Sequence, residues 1–247
     1  MHSCLSPCAS LDMSPSLIVK TAIERGLNCI ALTDHNSAGN CAVTKRLCDE
    51  NGILFFPGIE VTTLEEVHMV CLFSDVQSAK ELDRIIYSRL PDIRNDPERF
   101  GYQVVVNEKE EVEGFVEKYL GMASTISIDE LRDLVIKLSG AIIPAHIDRP
   151  SFSIVSQLGF LSGTFSAVEL SRATVRLGRG YDLAGDYPTV TASDAHFPHE
   201  IGCVHIKMEL EHPEFRDYCG VLSRKEFSIV SGPQNGPEEA NGSRYAK

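Results

Sequence analysis

The chain is 247 residues long, 43% hydrophobic and 23% charged, with a formal net charge of −12. Such a length fits one large α/β domain with a sizeable core; no apolar run approaches the roughly 20 residues that span a bilayer and no secretory leader precedes the first motif, so a cytoplasmic protein with no membrane partner is expected. The acidity, with no visible basic patch, argues against extended nucleic acid as a partner and for a small anionic substrate held by metals, leaving the end of an oligonucleotide open.

Residues 1–13 read as a loop carrying His2. Ser14-Pro15 starts a helix, with Ser as N-cap and Pro at the first helical position, and Leu17, Ile18, Ala22 and Ile23 supply its apolar face up to Gly26. A short apolar run, Cys29-Ile30-Ala31-Leu32-Thr33, then reads as a buried strand ending on Asp34-His35. A helix over roughly 40–50, with Ala42, Val43 and Leu47 inward, stops at Asn51-Gly52; strand 53–59 leads to Glu60, and strand 67–73 begins near His68.

Over 77–126 the alternation loosens. Residues 78–88 are helical, Pro91, Pro97 and Gly101 interrupt the chain, and two strand-like runs at 103–106 and 112–116 flank a charged turn, which predicts a hairpin inserted outside the main repeat. Ser127-x-x-Glu130 forms a capping box opening helix 128–138, closed by Gly140. Strand–helix alternation continues through 141–146, 151–158, 167–171, 189–193 and 203–209, giving a single domain over 1–230 and a disordered tail over 231–247, rich in Gly, Pro, Asn, Glu and Ser. None of the eight cysteines has C-x-x-C spacing, so most are expected to be small buried hydrophobes.

The strand ends carry the chemistry. Apolar runs finish on Asp34-His35, on Glu60, on His146, on Arg172 and on Asp194-Ala195-His196. In α/β folds the loops at the carboxyl ends of strands converge on one face. A lone histidine at a strand end is more often structural than a ligand; the weight lies in number and placement, because His2, His35, Glu60, His68, His146, Asp194 and His196 all border strands. Imidazole and carboxylate donors without a thiolate cluster suit Zn²⁺, Mn²⁺ or Fe²⁺. More than four such ligands imply more than one ion, and Glu60 or Asp194 could bridge a pair.

His2-Ser3-Cys4-Leu5-Ser6, Thr33-Asp34-His35-Asn36-Ser37, Gly58-Ile59-Glu60-Val61, Glu66-Val67-His68, Pro144-Ala145-His146 and Ser193-Asp194-Ala195-His196 together resemble the motif set of the PHP (polymerase and histidinol phosphatase) family, its stand-alone phosphoesterase members in particular, over roughly residues 1–210. The resemblance implies a distorted seven-stranded β/α barrel holding two or three divalent ions at its strand carboxyl ends. It implies a first ion on His2, Glu60 and Asp194, a second on Glu60, His68 and His146, and a third on His35 and His196. Cys8 stands where relatives often have His or Asp, and is either a soft ligand of the third site or a loop thiol. Relatives begin this region Asp-x-His-x-His, whereas Met1 occupies the middle x here, so a truncated first strand and a first site short of one ligand are expected.

The function expected is hydrolysis of small phosphate esters or nucleotides by a metal-activated water. Asp34 is expected to orient His35 or a metal-bound water, and Arg149 and Arg172 to hold phosphate oxygens or, equally, to pair with carboxylates. His199, His205 and His212 read as loop or surface residues. The rival readings are a metal-binding or regulatory PHP domain without turnover and an exonuclease acting on oligonucleotide ends.

Overall fold

The computed structural model describes residues 1–107, 109–178 and 180–231. Helix α1 (Pro15–Glu24) begins as its sequence dictates, with Ser14 accepting from the Leu17 amide. Its buried face includes Ile18, Val19 and Ala22, and Ile23, expected inward, is exposed. Strand β1 (Cys29–Leu32) leads to α2 (Cys41–Glu50), which buries Cys41, Val43, Thr44 and Cys48 and leaves Ala42 and Leu47 only partly covered. Next come β2 (Leu54–Thr62), β3 (His68–Leu72), α3 (Val76–Arg89), the single turn α4 (Pro97–Phe100) and the hairpin β4 (Val104–Val106) and β5 (Val112–Phe115). The second half runs α5 (Ile128–Lys137), β6 (Ala141–Pro144), α6 (Ile154–Leu158), β7 (Val168–Glu169), α7 (Arg172–Leu177), β8 (Thr189–Val190), β9 (Val204–Met208), α8 (Phe215–Arg224) and β10 (Phe227–Ser231). Ser127 caps α5 by accepting from the Glu130 amide. The tail expected over 231–247 lies outside the described residues from 232 onwards.

The fold is mixed α/β, but its sheets do not form the closed seven-stranded barrel expected. A four-stranded sheet in the order β1-β2-β3-β6 stands beside the two-stranded pairs β7-β8, β9-β10 and β4-β5. The reason is local: β7 and β8 are two residues each, and Pro144 and Pro188 sit where β6 and β8 would need an N–H to extend a ladder. Single backbone bonds run between the sheets instead. Ile147 donates to the Glu169 carbonyl at 2.8 Å, His2 to Ala195 at 2.9 Å, and Thr33 to Met1 at 3.0 Å.

The direction of β3 positions the site. β1 and β2 are parallel, whereas β3 runs antiparallel to β2 and β6, with Thr62 opposite His68. A residue at the start of an antiparallel strand arrives at the same rim as residues at the ends of its neighbours, which is how His68 meets Glu60 and His146. Gly58 lets β2 and β3 approach two residues before Glu60: a Cβ there would lie 2.5 Å from the Cys71 carbonyl oxygen.

Both faces of β2 are covered, as its nearly unbroken apolar run requires. Phe55, Ile59 and Val61 join the main core with α1, α3 and α5, while Phe56 packs with Phe215, Tyr218 and Leu222 of α8. Helix α3 contributes Ala79, Leu82 and Ile86 to that main core. The hairpin is tied to the amino-terminal loop by Asn40, whose amide donates to the Val104 carbonyl and to Ser3 Oγ at 3.0 Å each while its oxygen accepts from Val106 at 3.1 Å. No helix among the described residues is long and apolar enough to cross a membrane.

Candidate metal centre

Glu60 is the hub. It is 3% exposed, and its two oxygens face different imidazoles. Oε1 lies 2.9 Å from His68 Nδ1 and 3.5 Å from His146 Nε2; Oε2 lies 2.9 Å from His2 Nε2 and 4.0 Å from His35 Nδ1. Asp194 Oδ1 approaches the same His2 nitrogen at 3.2 Å. His196 stacks on His2 with ring centroids 4.2 Å apart. All seven residues expected as ligands are therefore brought to one rim.

Their grouping differs in part from the expected one. Three triads have donor atoms within 4.8 Å of one another: His2, Glu60 and Asp194; His35, Glu60 and His68; and His2, His35 and His196. The first is the expected first site. In the second, His35 takes the place expected for His146, because its ring lies between those of His2 and His68, 4.5 and 5.0 Å away. Cys8 belongs to none of the triads. Burial and the nearby Glu60 and Asp194 carboxylates push its thiol far up, out of the thiolate range at neutral pH.

The donor set fits divalent cations on three observations. His2 Nε2 faces two carboxylates at once. Burial alone would lower the pKa of His2, yet hydrogen bonds that it donates to Asp194 and Glu60, with their charge, outweigh that and raise it to about 9; a field that holds a proton there also favours a cation. Glu60 and Asp194 are held well below the usual carboxylate range despite burial, by His68, His146 and His2 around the former and by His2 and His196 around the latter. His146 turns Nε2 to Glu60 at 3.5 Å, and its other ring nitrogen, Nδ1, is buried with no hydrogen-bond partner. In addition, His146 and Asp194 adopt positive φ, 31° and 45°, a strained backbone that concentrates at functional sites.

Asp34 is not at the reacting face. It is 1% exposed, and its carboxylate accepts from Ser3 N at 2.6 Å, Ser3 Oγ at 2.7 Å and Ser6 Oγ at 2.8 Å. Ser6 has given its only proton to Asp34, so it must accept from His2 Nδ1 at 3.0 Å, while it also accepts from His35 N at 3.0 Å. The proton thus sits on Nδ1 and the Nε2 lone pair of neutral His2 points at the carboxylates. Asp34 therefore orients His2 through Ser6, and reaches His35 only through that backbone bond.

The two arginines part company. Arg149 Nη2 lies 2.8 Å from Asp194 Oδ2 with 38% of its side chain exposed, at the rim. Arg172 is mostly covered, its side chain 13% exposed, and pairs with Glu200 at 2.8 Å. Glu200 in turn accepts from the amides of His196 at 2.8 Å and Phe197 at 3.2 Å. Arg172 thus buttresses the turn that carries His196, the ion-pair alternative weighed for it. Replacing Arg172 with Ala should leave Glu200 Oε1 without its guanidinium, while Oε2 keeps its two amides, and cost on the order of 1–3 kcal/mol in urea unfolding.

Three participants escaped the sequence reading. Ser6 was quoted only as part of a motif. Glu169, at the end of β7, was passed over for Arg172 although a charge inside an apolar run was the available signal. Burial pushes its carboxyl up to about 7, with Asp194 adding and His146 opposing. Phe152 stacks on His68 with centroids 4.7 Å apart and 20° between planes; nothing in its sequence neighbourhood announced it.

The fold is that of PHP-like metal-dependent phosphoesterases. No family model matches the chain and no curated protein matches it in sequence. Among solved structures, a lesion-specific endonuclease from Pyrococcus furiosus is 17% identical, with a TM-score of 0.64 over 93% of this chain and 56% of its own. A Bifidobacterium adolescentis protein assigned as a metal-dependent phosphoesterase is 18% identical, with a TM-score of 0.57 over 79% of this chain and 85% of its own. A two-domain Bacteroides vulgatus protein, containing what is assigned as a PHP-like metal-dependent phosphoesterase, is 15% identical, with a TM-score of 0.53 over 94% of this chain and 63% of its own. The chain spans only a little over half the length of the endonuclease.

One expectation is overturned here. Endonuclease Q, captured with a 27-mer duplex bearing an abasic lesion at its active site, is 17% identical over 90% of this chain, with a TM-score of 0.56. The fold therefore accommodates extended nucleic acid, and a net charge of −12 is no argument against it. Net charge is a sum over the whole surface, whereas phosphate recognition is local, and cations at a carboxylate-rich centre change its sign.

Proposed function

We propose that this chain is a metal-dependent phosphoesterase whose centre holds two or three divalent cations of the Zn²⁺, Mn²⁺ or Fe²⁺ class. The carrying observation is Glu60, one buried carboxylate with each oxygen turned to a different imidazole pair. In this reading His2, Glu60 and Asp194 hold one ion, Glu60 with His68, His146 and His35 a second, and His196 with His35 a third. When bound, such ions activate water and neutralise charge on a phosphoryl group. The chain itself supplies fixed donors, with Asp34 and Ser6 holding His2 in the competent tautomer.

Arg149 is the residue we assign to the substrate. Half-exposed beside Asp194, it can turn a guanidinium towards phosphoryl oxygens. Replacing it with Ala should lower kcat/KM for phosphate esters by the equivalent of about 1.5–3 kcal/mol, the range for a hydrogen bond to a charged group. Unchanged kinetics with a lower melting temperature would make Arg149 structural.

The endonuclease likeness favours a second reading of the substrate, a phosphodiester within a nucleic acid. A phosphate-release assay on nucleotides and sugar phosphates, run beside cleavage assays on single-stranded and duplex oligonucleotides, with elemental analysis of protein purified without chelator, decides between them. Full metal content with no turnover of any phosphoester would reject hydrolysis.

A further inference from the structure

We infer that Phe152 is a stacking platform for a nucleobase, so that the substrate of this centre is a nucleotide or a nucleotide unit of a nucleic acid rather than a sugar phosphate. The inference rests on the phosphoesterase reading for its chemistry, but its own evidence is separate. Phe152 lies face to face with His68 and is 38% exposed. A large aromatic left this open costs solvation, and nothing in the core requires it there: the residue belongs to none of the packed clusters.

Its backbone is strained as well. Phe152 has a φ of 55°, a value that bulky L-residues rarely adopt. The strain is held by neighbours that over-determine the turn. The Phe152 carbonyl accepts from the His68 amide at 2.9 Å, and Ser153 then caps α6 through the Ser156 amide at 3.1 Å and donates to the Arg149 carbonyl at 2.8 Å. The turn thus fixes the Arg149 and Phe152 backbones together, and the guanidinium of the first lies beside Asp194 while the ring of the second lies on His68. A cation centre and a guanidinium select a phosphate, and a flat apolar ring one imidazole away selects a flat apolar group attached to it. A nucleobase stands in that relation to its phosphate, one sugar away. A sugar phosphate offers no π-face, and base stacking on aromatics tolerates every base because each has one.

The test compares adenosine 5′-monophosphate with ribose 5-phosphate on the Mn²⁺-reconstituted full chain, by phosphate release and by calorimetric binding. Wild type should favour the nucleotide, and Phe152→Ala should cost about 5- to 150-fold on the nucleotide alone, the range for one stacked base. Phe152→Leu keeps the apolar volume without the π-face and should behave like Ala; Phe152→Tyr should restore discrimination. Phe160→Ala, at a more exposed aromatic just beyond α6, should leave the ratio unchanged. Equal losses on both ligands, with altered metal content, would make Phe152 a support for His68 and overturn the inference. A wild-type enzyme that does not distinguish the two ligands would also overturn it. Should neither ligand be hydrolysed, the monoesterase reading fails on its own, and the calorimetric ratio still decides for or against the platform.

Discussion

Glu60→Gln is expected to remove hydrolysis and most of the bound metal while leaving the fold intact. Gln keeps the shape and one carbonyl acceptor, but it loses the charge and turns a donor amide towards an imidazole. In the structure both carboxylate oxygens face imidazole nitrogens, at 2.9 Å on each side. No geometry of an amide satisfies His2 and His68 in the same way. Replacing groups that merely orient ligands typically costs 10- to 100-fold in metal affinity or activity, so loss of the shared ligand should exceed about 100-fold. Elemental analysis, turnover and circular dichroism check the three parts separately. A Gln variant retaining wild-type metal content would sink the assignment of Glu60 as the shared ligand, whatever its activity.

The second large effect belongs to a residue that touches no substrate. Asp34→Ala leaves the Ser3 amide, the Ser3 hydroxyl and the Ser6 hydroxyl without their acceptor, all at a buried position. Each stranded buried donor costs on the order of 1–3 kcal/mol, so total destabilisation above about 3 kcal/mol is expected in urea unfolding. The effect should also reach the metal. With Asp34 gone, Ser6 can rotate and donate to His2 Nδ1, which stabilises the tautomer with its proton on Nε2 and blocks the ligating lone pair. Metal affinity should therefore fall by more than it does for Ser3→Ala, which removes one of those hydrogen bonds and leaves Ser6 alone. Equal losses in the two variants would show that the loop's stability, not the tautomer, links Asp34 to the centre.

The candidate ligands were legible because most of them border an apolar run with a metal-binding side chain, and that contrast survives in one dimension. The expectation of Glu60 as a bridge matches its two-sided geometry for the same reason, a single carboxylate in a long buried strand. Pairing among the histidines was not legible. His35 joins Glu60 and His68 beside the expected His146 because ring positions follow from strand direction and side-chain rotamers, which spacing does not encode. The closed barrel failed for a related reason: short runs such as 167–171 read as full strands, yet only Val168 and Glu169 pair as one. The charge argument failed because a sum over 247 residues says nothing about where the charges lie. Phe152 was invisible because its role depends on a positive φ and on a neighbour 84 positions away in sequence.

The wide spread of the donors along the chain has a consequence for how the protein is made. His2 must find Asp194, 192 positions later, so contacts of very high sequence separation hold the centre together and its assembly is slow. During synthesis, His2 emerges well ahead of Asp194 and waits for the 192 positions between them. A nascent chain that stops before residue 194 can bring together His35, Glu60 and His68 but lacks the triad of His2, Glu60 and Asp194. Loading at His2 becomes a late act of folding, a seal that the shorter chain cannot receive.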